Sequence, residues 1–174
     1  MIAGFESGNQ NVLNRMHKGI LLDWSKQYVK NANKAGLLIH GCFMVGNPGE
    51  TKETMQETLN LALELNTDTA QFFPLMVYPG TDAYRWAESN NYLVTRDWSK
   101  WITEDGLHSC VISLPGASST ELVEFCNEAR RKYYLRPRYI ISKMKQFITH
   151  PDERKRLIKA GTRFVKFLFK PSED

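Results

Sequence analysis

Three short apolar runs, separated by segments long enough to form helices, constrain the fold of this chain more than any other feature. The runs are Met1–Phe5, Leu37–Val45 and Thr69–Tyr78. Helices are predicted after them, over about Leu22–Ala35, Lys52–Leu65 and Asp82–Asn90. Strands joined by a dozen or more residues pair in parallel, with the helices packed on the sheet. We therefore predict an α/β fold whose parallel strands are covered on both faces.

Capping residues mark several of these helix ends. Asp23 or a neighbour is the predicted N-cap of the first helix, and Gly36 is its left-handed stop. Thr51 is the predicted N-cap of the second helix. Pro79 and Gly80 end the third apolar run, as expected of a turn.

After residue 92 the pattern changes to helices. Residues 93–116 are predicted to be a connecting loop with a short strand at Cys110–Ile112. Ser118 and Glu121 form a capping box that begins a helix. Its apolar stripe consists of Leu122, Cys126, Ala129 and Tyr133. Arg136-Pro137 ends that helix, and two more are predicted near Arg138–Ile148 and Pro151–Phe169. The predicted organisation is an α/β part over 1–92, a connection over 93–116 and a helical region over 117–174.

Charge is distributed unevenly along the chain. Residues 1–129 hold nine Lys and Arg against fifteen Asp and Glu, whereas residues 130–170 hold fourteen Lys and Arg against two acids. A solvated face on packed helices is the favoured interpretation of the basic region. The alternatives are a surface that binds nucleic acid, an anionic membrane, or the acidic body of its own enzyme.

The cysteines indicate a reducing compartment. Cys42, Cys110 and Cys126 are odd in number and far apart, which matches neither a disulfide framework nor a metal motif. We interpret Cys42 and Cys126 as buried, inert thiols, and we expect a cytoplasmic protein.

Two common site classes find no support in the sequence. Gly41 and Gly46 have the glycine spacing of a phosphate-binding P-loop, but Asn47 and Pro48 follow where Lys and Ser/Thr are required. The four histidines form neither HxxxH nor HExxH, so no metal site is assigned to them. No catalytic residue is assigned either.

Three motifs in order carry a family resemblance. They are GFESGNQNVLNRMHKG at 4–19, FMVGNPGET at 43–51 and FFPLMVYPGT at 72–81, and KYYLRPRYI at 132–140 adds to them. Together they resemble the radical S-adenosylmethionine (SAM) enzymes. Within these enzymes the chain is most similar to the cobalamin-dependent branch, which includes the anaerobic magnesium-protoporphyrin IX monomethyl ester cyclases and related Fe-S oxidoreductases.

The resemblance implies a particular architecture. The family fold is a partial (β/α)6 TIM-type barrel that carries a [4Fe-4S] cluster on a CxxxCxxC loop, and this sequence has no such motif. Matched by order, Met1–Glu6, Leu37–Gly46 and Thr69–Tyr78 correspond to strands 4–6 of the barrel. The expected fold is therefore the C-terminal half of the barrel followed by an α-helical tail. The cluster ligands, and a cobalamin domain if cobalamin is used, would lie outside this chain.

The resemblance also implies a set of cofactor-binding residues. At the end of the fourth strand, Glu6 and Ser7 would contact the ribose or amino-acid part of SAM; a carboxylate that caps the next turn is the competing interpretation of Glu6. The expected adenine side consists of Met44, Val45, Gly46, Val77 and Tyr78. Leu75 is interpreted as core. Glu50 and Thr51 are interpreted as stabilising a helix N-terminus.

We therefore predict part of an enzyme that cleaves SAM reductively for radical chemistry on a small-molecule substrate. The chain would supply the ribose and adenine side of the SAM site, would need the N-terminal half of the enzyme, and would be inactive alone. The alternative is a non-catalytic binding module that uses the basic helices. Half a barrel also has unpaired strand edges, so we expect self-association.

Overall fold

The computed structural model describes residues 1–102 and 109–169. Part of the predicted connection, including His108, lies outside these residues. The strands are β1 (Ile2–Glu6), β2 (His40–Val45) and β3 (Thr69–Pro74). The helices are α1 (Gln10–Arg15), α2 (Leu22–Lys34), α3 (Lys52–Leu65), α4 (Asp82–Ser89), α5 (Ser119–Leu135), α6 (Pro137–Thr149) and α7 (Arg154–Leu168). Short 3-10 turns lie at Trp98–Lys100 and Pro151–Glu153.

The three strands form one parallel sheet in the order β1-β2-β3. In the register of the sheet, Gly4 lies opposite Cys42, and Cys42 lies opposite Gln71. The predicted α/β class, with a parallel sheet and a helical C-terminal region, is confirmed. The assignment of this open sheet to half of a barrel stays a prediction.

A ladder of phenylalanines marks the helix-covered face of the sheet. Phe5, Phe43 and Phe72 are buried, one on each strand, and their rings stack with centroids 5.7 and 5.3 Å apart. Tyr28 of α2 meets the Phe5 ring edge-on at 6.3 Å. Burial of such rings dominates core energetics, so the ladder fixes which side of each strand faces the helices.

The opposite face of the sheet is only partly covered, which corrects the prediction of strands buried on both faces. Along β2, residues alternate between buried and half-buried, and His40, Cys42 and Met44 are the half-buried ones. Gln71 on β3 is exposed. Successive side chains of a strand point to opposite faces, so these residues share the open face. Cys42 is therefore half-buried rather than buried, whereas Cys126 is buried as predicted.

Most predicted helix ends are confirmed. The Thr51 hydroxyl accepts a hydrogen bond from the Thr54 amide at 3.3 Å. Ser118 and Glu121 bond reciprocally through backbone and side chain at 2.8 to 3.2 Å. Gly36 has φ +70° after α2. The cap of α2 was predicted at Asp23 or a neighbour; the N-cap is Leu21, two residues before Asp23, and it makes no side-chain hydrogen bond.

Three further differences concern segments in and around the strands. Helix α1, capped by the Asn9 side chain, was not predicted, because its six residues are too few to show helical periodicity. The third strand ends at Pro74 rather than Tyr78. The second strand begins at His40 rather than Leu37, and Leu37 and Leu38 are exposed.

The described residues form two compact units, which divide after residue 130. The first contains the sheet and helices α1 to α4. In the second, Tyr134 packs against Tyr139 and Phe164, with ring centroids 5.0 and 5.1 Å away. Within the described ranges, no helix combines the length and the apolar content needed to cross a bilayer.

The loop after β1 crosses the backbone of α3 so closely that only glycine fits at position 8. A Cβ on Gly8 would lie 2.7 Å from the Thr58 amide nitrogen and would overlap the Glu57 carbonyl. We expect Gly8→Ala to lower the free energy of unfolding by roughly 2–4 kcal/mol, because backbone atoms must move.

The matched control is Gly161→Ala on α7, where a Cβ meets nothing within 4 Å. This change should raise stability by up to about 1 kcal/mol. Urea unfolding of both variants measures the difference, and equal effects would contradict the packing argument.

An open edge of β1 generates a second prediction. The groove between β1 and α2 has a volume of about 220 Å³, and its lining includes Gly4 and Trp24. Ile2 and Trp24 are exposed beside it. Since unpaired strand edges template association, we expect concentration-dependent self-association that Ile2→Lys reduces. Light scattering over a dilution series would measure it, and a monomer at all concentrations would contradict the expectation.

Candidate functional site

Glu6 occupies an unusual position at the carboxyl end of β1. Its φ is +64°, in the left-handed region that side-chain-bearing residues rarely adopt. The register with β2 shifts between Gly4 and Glu6, so that Glu6 lies opposite Phe43. Bulges and left-handed residues cost free energy and concentrate beside functional sites. Glu6 is therefore the candidate site residue with the strongest structural signal.

The Glu6 carboxylate is held in place from two sides. Its Oε1 pairs with the Lys18 ammonium at 2.8 Å, and the Glu6 side chain is 13% exposed. A Cβ on Gly4 would lie 3.3 Å from Lys18 Nζ and would overlap Glu6 Oε1. The carboxylate thus lies directly above Gly4, on the open face of the sheet. It does not cap the next turn; the side chain of Asn9 caps α1 instead.

Ser7 is completely buried and joins the loop after β1 to α3. Its hydroxyl lies 3.2 Å from the Thr58 hydroxyl and accepts a hydrogen bond from the Asn9 amide at 3.1 Å. Thr58 also accepts from the Gly8 amide at 2.9 Å. In this arrangement Ser7 positions the loop that carries Glu6. Its contact with SAM stays a prediction.

The predicted adenine side at the end of β2 is divided between the two faces. Met44 is half-buried on the open face, next to the position of Glu6 on the neighbouring strand. Val45 is buried on the helix-covered face. Gly46 has φ +88°, and a Cβ there would lie 2.9 Å from Ile112 and 3.2 Å from Leu122. Met44 is thus accessible, whereas Gly46 is packed beneath those two side chains.

The two predicted residues after β3 also differ. Val77 is fully buried, and Tyr78 is half-exposed. Leu75 is buried, which confirms its interpretation as core. Among the predicted cofactor residues, the side chains that can reach a ligand are Glu6, Met44 and Tyr78. Glu6 and Met44 lie at the carboxyl ends of neighbouring strands, where ligands bind open α/β sheets.

The turn after β2 contains a buried polar pair that the sequence interpretation underrated. Glu50 Oε2 accepts from the Asn47 amide at 2.9 Å and from Asn47 Nδ2 at 3.1 Å. Glu50 Oε1 and Asn47 Oδ1 are buried without a hydrogen-bond partner among the described residues. Burial raises the pKa of Glu50 to about 7, although these hydrogen bonds oppose the shift. Glu50 therefore lies buried within the turn, as well as close to the N-terminus of α3.

The thiols do not form a metal centre in this structure. Burial raises the pKa of Cys126 to about 12, and burial also raises the pKa of Cys110. For Cys42, burial and the Glu6 carboxylate raise the pKa, while Lys18 opposes them. Across the described residues, no group of three or more His, Cys, Asp and Glu side chains could hold a metal ion. The side chains of the described residues therefore do not fit an Fe-S cluster.

Sequence reasoning missed Lys18 and Thr58. Lys18 follows α1, and the pairing of residues 6 and 18 depends on that short helix turning the chain back. Thr58 lies inside α3, where a threonine carries no distinguishing signal. Gly4 and Gly8 could be singled out from the sequence, since glycine permits close approach of the backbone.

Comparison with known proteins gives partial similarities. No protein-family model matches the chain. An uncharacterized methyltransferase of Pyrococcus horikoshii is 36% identical over 138 residues, which is 79% of this chain and 29% of that protein. Two tRNA-2-methylthio-N(6)-dimethylallyladenosine synthases match 45% of the chain. The one from Shewanella sp. W3-18-1 is 34% identical over 80 residues, and the one from Psychrobacter cryohalolentis is 37% identical over 83 residues.

The chain spans less than a third of the length of each of these relatives: 29%, 17% and 16%. The relatives are enzymes by name, and the similarity supports the resemblance to a radical SAM-like family. It gives no support to the cobalamin-dependent branch or to cyclase chemistry in particular.

The buried Glu50 predicts a pH-dependent stability. A carboxyl whose folded pKa is raised from 4.5 to about 7 stabilises the fold fully below pH 4.5 and loses that contribution as the pH rises to 7. The loss is about 3 kcal/mol. The side chain of the Glu50→Gln variant does not titrate. The free energy of unfolding of this variant minus that of the wild type should therefore rise by about 3 kcal/mol between pH 4.5 and pH 7.

Urea unfolding at several pH values measures this difference, with the exposed Glu124→Gln as the matched control. If both variants show the same pH dependence relative to wild type, Glu50 does not titrate inside the fold.

Proposed function

We propose that this chain is part of a radical SAM enzyme that transfers a methyl-bearing group, and that it supplies the ribose side of the SAM site. The observation that carries the proposal is Glu6, a strained residue whose carboxylate is fixed by Lys18 above Gly4 at the carboxyl edge of the sheet. The relatives support the reaction class, because their names describe a methyltransferase and tRNA-2-methylthio-N(6)-dimethylallyladenosine synthases.

The chemistry of the residues fits a ribose. An ionised carboxylate accepts strong hydrogen bonds from two neighbouring hydroxyl groups, and Gly4, which has no side chain, leaves the space in which the carboxylate lies. Lys18 would orient the carboxylate through the 2.8 Å ion pair. Met44, on the next strand, offers an adaptable apolar surface suited to an adenine ring. Tyr78 can contribute a further aromatic contact.

The cofactors would supply the radical chemistry when bound, and this chain's own residues would bind and orient SAM. The cluster ligands would come from another part of the enzyme, since the residues here do not fit a cluster. The groove along β1 suits further strands of a barrel, which would cover the exposed Ile2 and Trp24. Use of cobalamin, oxidoreductase or cyclase-like chemistry, and a cytoplasmic location stay predictions.

SAM binding to the chain tests the proposal. We expect Glu6→Gln to weaken binding about tenfold, because a charge-assisted hydrogen bond becomes a neutral one. Gly4→Ala should weaken binding similarly, since the new methyl group displaces the carboxylate without moving backbone. Calorimetric titration measures both variants, with Glu124→Gln as the control. Unchanged affinity in both Glu6→Gln and Gly4→Ala would contradict the proposed role of Glu6.

The same proposal predicts that the chain alone does not cleave SAM. After incubation with iron and sulfide under anaerobic reduction, it should form no 5′-deoxyadenosine, because no CxxxCxxC motif is present. Production of 5′-deoxyadenosine by the purified chain would contradict the proposal that the cluster ligands come from another part of the enzyme.

A non-catalytic binding module remains the second candidate. The charge of residues 131–169 favours it: they hold twelve Lys and Arg against Asp152 and Glu153. Salt-sensitive binding of nucleic acid or anionic vesicles, without any binding of SAM, would favour this alternative, because the basic helices and not the sheet would then bind the ligand.

A further inference from the structure

Helix α6 packs through its polar side, whereas an ordinary core helix packs through its apolar side. The residues that face inward, with intermediate burial, are Tyr139, Lys143 and Gln146. Tyr139 packs against Tyr133 and Tyr134, with ring centroids 5.8 and 5.0 Å away. Lys143 lies over the Tyr139 ring at 5.3 Å and donates to Gln146 at 2.9 Å. The polar side of the helix is thus the side that packs.

The apolar side of α6 faces solvent as a continuous stripe. At 100° per residue its members lie within an arc of roughly 120°. The stripe consists of Ile140, Ile141, Met144, Phe147 and Ile148, all of which are exposed. Single exposed apolar residues are ordinary, but a contiguous apolar helix face marks a surface that binds something.

Basic residues border this stripe. Arg138 and Lys145 lie along one side of it, are exposed, and form no ion pair among the residues the structure describes. On α7, Lys155, Lys159, Arg163 and Lys166 likewise have no acidic partner within the described ranges. The unit therefore combines an apolar helix face with a large excess of positive charge.

We infer that α6 docks on an anionic lipid surface, with its apolar stripe inserted at the level of the headgroups and the basic residues against the lipid phosphates. An amphipathic helix with Lys and Arg beside an apolar face is the arrangement that binds such interfaces. Each basic residue near the surface adds attraction to acidic lipids. This inference does not depend on the proposed SAM site.

The stripe decides between lipid and nucleic acid. Single-stranded nucleic acids are bound through aromatic side chains that stack on bases. Four of the five stripe residues are aliphatic or methionine, and such side chains gain nothing from a phosphate backbone. Transfer of these side chains from water into hydrocarbon is favourable. The charge bordering the stripe makes an acidic membrane surface the better match.

Vesicle sedimentation tests the inference with the whole chain. We compare vesicles of phosphatidylcholine alone with vesicles of equal parts phosphatidylcholine and phosphatidylglycerol. We expect binding to the anionic vesicles, weaker binding at high salt and little binding to the neutral ones. No binding to anionic vesicles, or equal binding to both kinds, would overturn the inference.

A variant with Ile141→Gln, Met144→Gln and Ile148→Gln isolates the stripe, because it leaves the charge unchanged. These residues are 66, 62 and 70% exposed, so folding, checked by circular dichroism, should be unaffected. The matched control replaces Leu21, Leu38 and Val94 by Gln, residues that are 48, 42 and 53% exposed in the first unit. We expect at least about tenfold weaker binding to anionic vesicles for the stripe variant and no change for the control.

Two further results would count against the inference. Undiminished vesicle binding by the stripe variant would mean that the apolar face is not inserted. Binding to a single-stranded RNA oligomer that is unaffected by the stripe changes, without vesicle binding, would assign the basic helices to nucleic acid instead.

Discussion

The stacking of Phe5, Phe43 and Phe72 across the three strands determines much of the remaining structure. Because the rings lie on one face, every neighbouring residue along each strand must point to the other face. A slip of one residue in any strand would bring polar positions under the helices. The ladder therefore places Gly4, Cys42 and Met44 on the open face, and the candidate site is a consequence of how the core is packed.

The open face also explains the division of roles among the predicted site residues. At the end of β1, the Glu6 carboxylate lies over Gly4 on the open face, whereas the buried Ser7 hydroxyl lies 3.2 Å from the Thr58 hydroxyl of α3. The strain at Glu6 is tolerated because Ser7, Gly8 and Thr58 fix the loop on its other side.

The sequence predicted the elements whose signals are local. Apolar runs, the cap at Thr51 and the capping box of Ser118 and Glu121 depend on residues close in the chain, and the structure has them. The pairing of Glu6 with Lys18, the burial of Glu50 and the outward stripe of α6 depend on which surfaces meet in space. Helical periodicity identifies an apolar stripe on α6, but it does not say whether that stripe is packed or exposed. The match to half a barrel came from resemblance, and the open sheet agrees with it only as far as three parallel strands.

Cys42 gives the site a native chemical reporter. Its thiol shares the open face with the Glu6 carboxylate, and that carboxylate is one cause of its raised pKa. Cys126 is buried, with a pKa of about 12, so its thiol is far less able to compete for a thiol-directed reagent. A ligand that engages the Glu6 carboxylate changes the electrostatic field at Cys42. The rate at which Cys42 is alkylated would then follow occupancy of the site, without any label having been introduced.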